Sequence, residues 1–309
     1  MKILVIGDLH GRKPVIRNID FDAIVLIGDV CDDRKIAPLY KKFFRELKKF
    51  KKEDTSLDFE AFAAEILGSK KKLKGFEKSS LEEGAKIIRY LDSLGKPIFM
   101  VGGNWDQSYG KTKIKDLDKD EYSYMKYFYD SWAGDKLNPT LIKGTKNLRN
   151  CMLHLHKYGG VNFIGYGLSS GPEDYSLRNK NKNLTPSQRK GLKKAYEKIV
   201  TKLEKAYNGR DKSLPIFFIT HNTPYGTPLD VIKDKKSYAY KKHLGSTIAK
   251  NFCVKHRPIV CVGGHIHDNP GKTKIGRTLV INPGYGSNAQ VLIDYDTRVA
   301  KVKSVRFLK

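Results

Sequence analysis

Asp8 and His10 stand two residues apart just after the apolar run that begins the chain. Four more segments place a polar donor after a short apolar run: Gly28-Asp29-Val30, Gly102-Gly103-Asn104-Trp105-Asp106, Thr220-His221-Asn222 and Gly263-Gly264-His265-Ile266-His267. Carboxylates, imidazoles and an amide oxygen form a donor set suited to divalent first-row metals such as manganese, iron or zinc, and no thiolate belongs to it. The glycines fit donors leaving a strand on tight turns, where positive φ and close backbone approach are needed. Any one motif is matched equally well by a turn or a structural histidine. Recurrence at five strand ends is what argues for a shared site.

The elements that must position these donors are short apolar runs bounded by Gly or Pro: Ile3 to Ile6, Ala23 to Ile27, Pro97 to Val101, Val161 to Ile164, Pro215 to Thr220, Pro258 to Val262, Thr278 to Ile281 and Ala289 to Ile293. Their length and β-branched content predict buried strands. Helical patterns lie between them. Ser80 with Glu83 reads as a capping box before Ile87, Ile88, Leu91 and Leu94, with Gly95 as the stop. Thr185, Pro186 and Gln188 start a second helix whose face carries Leu192, Ala195, Tyr196, Ile199, Leu203, Ala206 and Tyr207 before Gly209. Alternating strands and helices predict an α/β protein, and in open α/β sheets the carboxyl ends of strands converge on one crevice. The expected organisation is one domain over residues 1–309, with insertions at about 33–78, Lys-rich and helical, and about 107–150, rich in Tyr.

The chain has 309 residues, 39% hydrophobic and 30% charged, a composition that excludes a disordered protein and supports one sizeable core. Its formal net charge is +26, from 59 Lys+Arg against 33 Asp+Glu, which favours encounters with phosphates, nucleic acids and anionic membranes. A nucleotide-composition bias toward Lys and Tyr codons explains the same numbers without a partner. Cys31, Cys151, Cys253 and Cys261 show no C-x-x-C spacing, so a reduced, cytoplasmic protein is expected. The first residues read as a strand flowing into the Asp8 motif rather than as a signal peptide, and no apolar run approaches the ~18 residues of a membrane span.

With these motifs in place, the chain resembles the calcineurin-like metallophosphoesterases. The pattern D-x-H, G-D-x-x-D, G-N-H-[DE], H and G-H-x-H is met by Asp8/His10, Gly28-Asp29-Val30-Cys31-Asp32, Gly103-Asn104-Trp105-Asp106, His221 and Gly264-His265-Ile266-His267. The resemblance implies a four-layer α/β/β/α sandwich and two divalent ions, manganese first, with iron, zinc or nickel as alternatives. Asp8, His10, Asp29 and His267 are implied ligands of one ion, and Asp29, Asn104, His221 and His265 of the other. Asp29 would bridge them, and Asp29, Asn104 and His221 would serve catalysis. Such a pair, about 3.5–4 Å apart, ionises a shared water that attacks the phosphorus in line.

Trp105 departs from the pattern, standing where many members have a His that protonates the leaving oxygen. Indole donates a hydrogen bond but is no general acid at neutral pH. The segment from His221 to Gly226, with Asn282-Pro283-Gly284, is similar to small prokaryotic phosphodiesterases, which implies a nucleotide or nucleic-acid diester substrate. The alternatives are a phosphomonoesterase, or a non-catalytic or weakly active scaffold for a protein partner that the sequence does not identify. Trp105 and Asn222 are expected to contact substrate, Asn222 alternatively holding a turn before Pro224. Asp32 and Asp106 are expected to orient neighbouring ligands. His154 and His156 read as structural, and His243 and His256 as surface residues. Lys41-Lys42-Phe43-Phe44-Arg45 with Lys48, Lys49, Lys51 and Lys52, and more weakly Tyr122 to Trp132, interleave cations with aromatics as a nucleic-acid channel or a solvated helix face would.

Overall fold

A computed structural model describes residues 1–47, 59–108, 134–168, 173–178, 185–235, 237 and 239–308. In chain order the strands are β1 (Lys2–Ile6), β2 (Ala23–Leu26), β3 (Ile98–Met100), β4 (Leu148–Asn150), β5 (Leu155–Tyr158), β6 (Val161–Tyr166), β7 (Ile216–Asn222), β8 (Val260–Gly264), β9 (Gly271–Ile275), β10 (Thr278–Asn282), β11 (Gln290–Asp296) and β12 (Lys301–Leu308). The helices are α1 (Ala37–Leu47), α2 (Phe59–Leu67), α3 (Lys70–Asp92), α4 (Pro139–Ile142), α5 (Tyr175–Arg178), α6 (Pro186–Asn208) and α7 (Thr247–His256).

The strands form two mixed, six-stranded sheets, ordered β12-β11-β1-β2-β3-β4 and β5-β6-β7-β8-β10-β9. In the first, β1 to β4 run parallel and β11 is antiparallel to β1. In the second, β6, β7, β8 and β10 run parallel, flanked by antiparallel β5 and β9. Phe99 of β3 and Phe163 of β6 stack across the sheets with centroids 3.9 Å apart and planes at 8°. Side chains alternate along a strand, so an interior strand serves two cores at once. On β7, Phe217 and Ile219 enter the core shared by the sheets. Phe218 points the other way, among Leu192, Ala195, Ile199 and Leu203 of α6 and Ile248 and Phe252 of α7. Leu81, Ile87, Ile88 and Leu91 of α3 join the core of the first sheet. Helices thus cover the outer faces, an α/β fold with sheets at its centre. Among the described residues no helix is long and apolar enough to cross a membrane.

α3 begins eleven residues before the expected start, because Ser69 caps it by accepting from the Lys71 backbone N–H at 3.0 Å, while Ser80 is buried inside it. The Lys-rich stretch before Ser80 has high helix propensity, so the pattern at Ser80 continues a helix rather than opening one. Helices α1, α2 and the first turns of α3 occupy the expected insertion at 33–78 and pack on one another through Leu39, Ala63 and Leu73. Lys48, Lys49, Lys51, Lys52 and the stretch from Tyr122 to Trp132 lie outside the described residues.

Glu173 ties the segment before α5 to the start of α7. Its carboxylate is fully buried and accepts from Thr247 N at 2.7 Å, Thr247 Oγ1 at 3.0 Å and Ile248 N at 3.4 Å. Alanine there strands buried donors, so Glu173→Ala is expected to destabilise by about 1–3 kcal/mol in urea denaturation, with Glu173→Gln losing less because it keeps an acceptor.

Candidate metal centre

The five donor segments emerge from β1, β2, β3, β7 and β8, whose carboxyl ends lie at one edge of the two sheets. Turns there are tight enough that three donors themselves take the left-handed conformation: His10 at φ 46°, Asp29 at φ 49° and His265 at φ 67°. Non-glycine residues pay of order 1–2 kcal/mol for this, so the surroundings must enforce it. Leu9 N and His10 N both donate to Asp29 O, at 3.0 and 2.8 Å, locking the first two turns together. Asp106 ties the turns after β2 and β3 together through backbone groups rather than through a ligand side chain: it accepts from Val30 N, Cys31 N and Gly103 N at 2.8, 3.1 and 2.8 Å. Gly103 and Gly264 permit the close approach. A Cβ on Gly103 would lie 2.2 Å from Asp29 Oδ1, and one on Gly264 2.7 Å from Asp8 Oδ2.

All seven expected donors meet. His267 Nε2 lies 3.3 Å from Asp8 Oδ2, and the His10 and His267 rings are 5.0 Å apart. Asp29 Oδ2 stands between the two groups, 3.6 Å from His10 Nε2 and 3.4 Å from His221 Nε2. Donor atoms of Asp29, His221 and His265 all lie within 4.8 Å of one another. His221 Nε2 is also 2.9 Å from Asn104 Oδ1 and 3.2 Å from His265 Nδ1. Most of the cluster is buried: Asp8, His10, Asp29 and His221 expose at most 1%.

The donor chemistry fits cations. His221 Nδ1 faces the Ile27 carbonyl at 2.9 Å, an acceptor, so the proton of the neutral ring sits on Nδ1 and Nε2 carries a lone pair. That lone pair points at an amide oxygen and a carboxylate oxygen, an assembly of electron pairs that a cation would hold together. Asp8 Oδ1 and His10 Nε2 are buried without a hydrogen-bond partner. Burial pushes the His265 imidazole down to about 3, with neighbouring His221 adding to the effect, so the ring is neutral and ready to ligate at ordinary pH. Burial also drives the Asp29 carboxyl well above its usual range, the pull of His10 opposing it and Asp8 and Asp106 reinforcing it. For Asp8, burial raises the carboxyl, but the contact with His267 outweighs it with the help of the surrounding imidazoles, leaving it below the usual range. Two buried carboxyl groups are thus held among imidazoles, where bound cations would stabilise both as carboxylates.

The carboxylate that lies beside His10 is Asp33. Asp33 Oδ2 lies 3.0 Å from His10 Nδ1, whereas Asp32 is taken by Arg34, at 2.8 Å from both Nε and Nη2. Adjacent acidic residues leave that choice open in a sequence, and the turn after β2 decides it. Asn222 is fully buried and donates to Leu244 O at 2.8 Å, contacts that leave no surface for a substrate and suit the turn role. His256 is not a surface residue: its side chain is 5% exposed and bonds Glu204 Oε1 at 2.7 Å. His243 remains partly exposed, bonded to buried Asp230 at 2.7 Å. His156 fits the structural reading, with Nε2 2.8 Å from Asn150 O.

Residues not singled out from the sequence also reach the rim. Tyr285, set between Gly284 and Gly286 at φ 92° and 95°, stacks on His267 with centroids 4.4 Å apart, and the Arg12 guanidinium lies 4.6 Å from its ring centre. Tyr40 of α1 meets Trp105 edge to face at 5.5 Å.

Among known proteins, the sequence pattern of the calcineurin-like phosphoesterases matches residues 75–269 of the chain, more than half of it. The uncharacterized protein MJ1162 of Methanocaldococcus jannaschii is 28% identical over 129 residues, 41% of this chain, which spans 50% of that relative's length. One solved structure superposes with a TM-score of 0.55 and 17% identity, covering 100% of this chain and 99% of its own, a likeness of fold. The protein TT1561 of Thermus thermophilus covers 100% of this chain and 99% of its own at 14% identity and a TM-score of 0.43.

Proposed function

Since the chain belongs to the calcineurin-like phosphoesterase family, we propose that it is a dinuclear, metal-dependent phosphodiesterase of nucleotide or nucleic-acid esters. Asp8, His10, Asp29 and His267 would hold one divalent ion and Asp29, Asn104, His221 and His265 the other. The observation that carries this reading is the place of Asp29 Oδ2 between His10 Nε2 and His221 Nε2, one oxygen facing both halves of the donor set. When bound, two such ions supply Lewis-acid charge to phosphoryl oxygens and lower the pKa of a water between them.

The chain's own residues do the rest. The Trp105 backbone N–H donates to Asp29 Oδ1 at 2.8 Å, which fixes the carboxylate so that Oδ2 faces the imidazoles. Ile27 O sets the His221 tautomer, and Asp33 holds the His10 ring from the far side. The Trp105 indole next to Asn104 offers no acidic proton to the leaving oxygen, so another group or water supplies it. The likeness of the segment from His221 to Gly226, with Asn282-Pro283-Gly284, to small prokaryotic phosphodiesterases supports diesters over monoesters. The net charge of +26 favours encounters with anionic esters. Four buried free cysteines suit a reducing, cytoplasmic setting.

Protein stripped by a chelator and reloaded with manganese is expected to hydrolyse bis-p-nitrophenyl phosphate, and p-nitrophenyl phosphate more slowly under the same conditions. Faster monoester turnover would move the reading to a phosphomonoesterase. Absence of turnover with manganese, iron, zinc and nickel alike, together with a co-purifying protein, would replace it with a scaffold.

A further inference from the structure

We propose that Trp105, braced by Tyr40 from helix α1, forms the wall of a subsite for a flat aromatic or heteroaromatic substituent of the ester. The proposal rests on the phosphoesterase reading and adds to it the group that lies beside the reacting phosphate. Trp105 follows Asn104 and donates its backbone N–H to Asp29 Oδ1, which anchors its main chain at the edge of the donor cluster. The indole is half-buried, with its centroid 6.4 Å from the His10 ring. Among the described residues, the rings that touch it, His10 and Tyr40, meet it with planes at 64° and 85°, edge contacts rather than stacks.

Behind the indole lies an aromatic train that metal binding does not require. Tyr40 stacks on Phe59 of α2 with centroids 3.6 Å apart and planes at 7°, and Phe59 meets Phe43 at 5.5 Å. Helices α1 and α2 therefore reach the edge of the centre through rings, and Tyr40 packs against the indole, a pre-packed surface that loses less entropy when a ligand stacks on it. The other flank of His10 is aromatic as well. Tyr285, 41% exposed, lies 5.1 Å from the His10 ring with Arg12 beside it. Aromatic surfaces and a guanidinium around a phosphate site are the combination that grips bases by stacking and their phosphates by charge. An aliphatic or sugar ester offers no π-face to such a wall.

The test uses phosphonates, whose carbon–phosphorus bond the proposed hydrolysis does not cleave. Manganese-loaded protein is titrated calorimetrically with phenylphosphonate and with methylphosphonate, and the readout is the ratio of the two affinities. One stacked ring is expected to give phenylphosphonate an advantage of about five- to a hundredfold. That ratio should fall toward one in Trp105→Ala and shrink in Tyr40→Ala, with manganese content unchanged. In a Trp132→Phe background, where Trp105 is the sole indole, phenylphosphonate but not methylphosphonate should quench tryptophan fluorescence, a measurement that needs no folded Trp105→Ala. A wild-type ratio near one, or a ratio that survives both substitutions, overturns the subsite. Turnover of bis-p-nitrophenyl phosphate is scored separately. Turnover with a ratio of one removes the subsite alone, and a Trp105-dependent ratio without turnover removes the enzymatic reading alone.

Discussion

Replacing Asp29 by Asn is expected to lower manganese-dependent diester hydrolysis by at least about four orders of magnitude, the scale of losing a member of a catalytic unit. Asn is the informative choice because it leaves the fold its supports. It tolerates the left-handed backbone found at φ 49°, and its amide oxygen can accept the Trp105 N–H that Oδ1 accepts now. What disappears is the charge on the one oxygen that faces both His10 and His221. Metal content by mass spectrometry should fall from two ions per chain to one or none.

Stability should move the opposite way in the stripped protein. The Asp29 carboxyl is raised by burial, so between its unfolded and folded pKa values the native state binds more protons than the unfolded state. Wild-type stability therefore drops as pH rises through that window, and Asn removes the loss. Stripped Asp29→Asn should melt above stripped wild type at neutral pH, and below it once both are loaded with manganese, where ligand binding stabilises the native state by mass action. Undiminished turnover in Asp29→Asn would sink the assignment of the site. Identical melting of the stripped proteins would show that the carboxyl carries no penalty.

The parts of this fold legible in the sequence are those with an unambiguous burial pattern. Strands β1, β2, β3, β6, β7, β8, β10 and β11 follow the continuous apolar runs, because an interior strand packs on both faces. The strands without such a signal are β4, β5, β9 and β12, and all four are sheet edges. β9 and β12 read Gly271-Lys272-Thr273-Lys274-Ile275 and Lys301-Val302-Lys303-Ser304-Val305-Arg306-Phe307-Leu308, carrying the lysines that keep an edge from pairing with another chain. The signal that protects an edge is the one that hides it from a hydrophobicity scan.

The donors were legible because their types recur at strand ends. Their orientation was not. Whether Asp32 or Asp33 reaches His10 depends on a rotation of the turn after β2 that neighbouring acidic residues do not encode. Nor do types and spacing show that His10, Asp29 and His265 themselves carry positive φ, since the neighbouring glycines suggested that the strain would rest on them. Tyr285 and Tyr40 come to the rim from the turn that follows β10 and from α1, distances in sequence that no local pattern spans.

Gly103→Ala is expected to cost about two to three orders of magnitude in diester turnover, although Gly103 contributes no ligand atom, because a displacement near 1 Å in a catalytic site has an effect of that order. The added Cβ would stand 2.2 Å from Asp29 Oδ1 and 2.5 Å from Asp29 N. The first atom could swing away, but the second is backbone, and that backbone is pinned through Asp29 O by Leu9 N and His10 N. Relief must come from separating the β2 and β3 turns, which carries Asp29 away from Asn104 and Trp105. The comparison that isolates this mechanism is Gly75→Ala, the same substitution in the interior of α3, where nothing lies within 4 Å of the new methyl. There the lost backbone freedom of the unfolded chain dominates, and stability should rise by about 0.5–1 kcal/mol with turnover unchanged. Measuring both variants by urea denaturation and diester kinetics separates close approach from flexibility. If Gly103→Ala retained wild-type turnover, the tight seat for Asp29 would not be what holds the centre in shape.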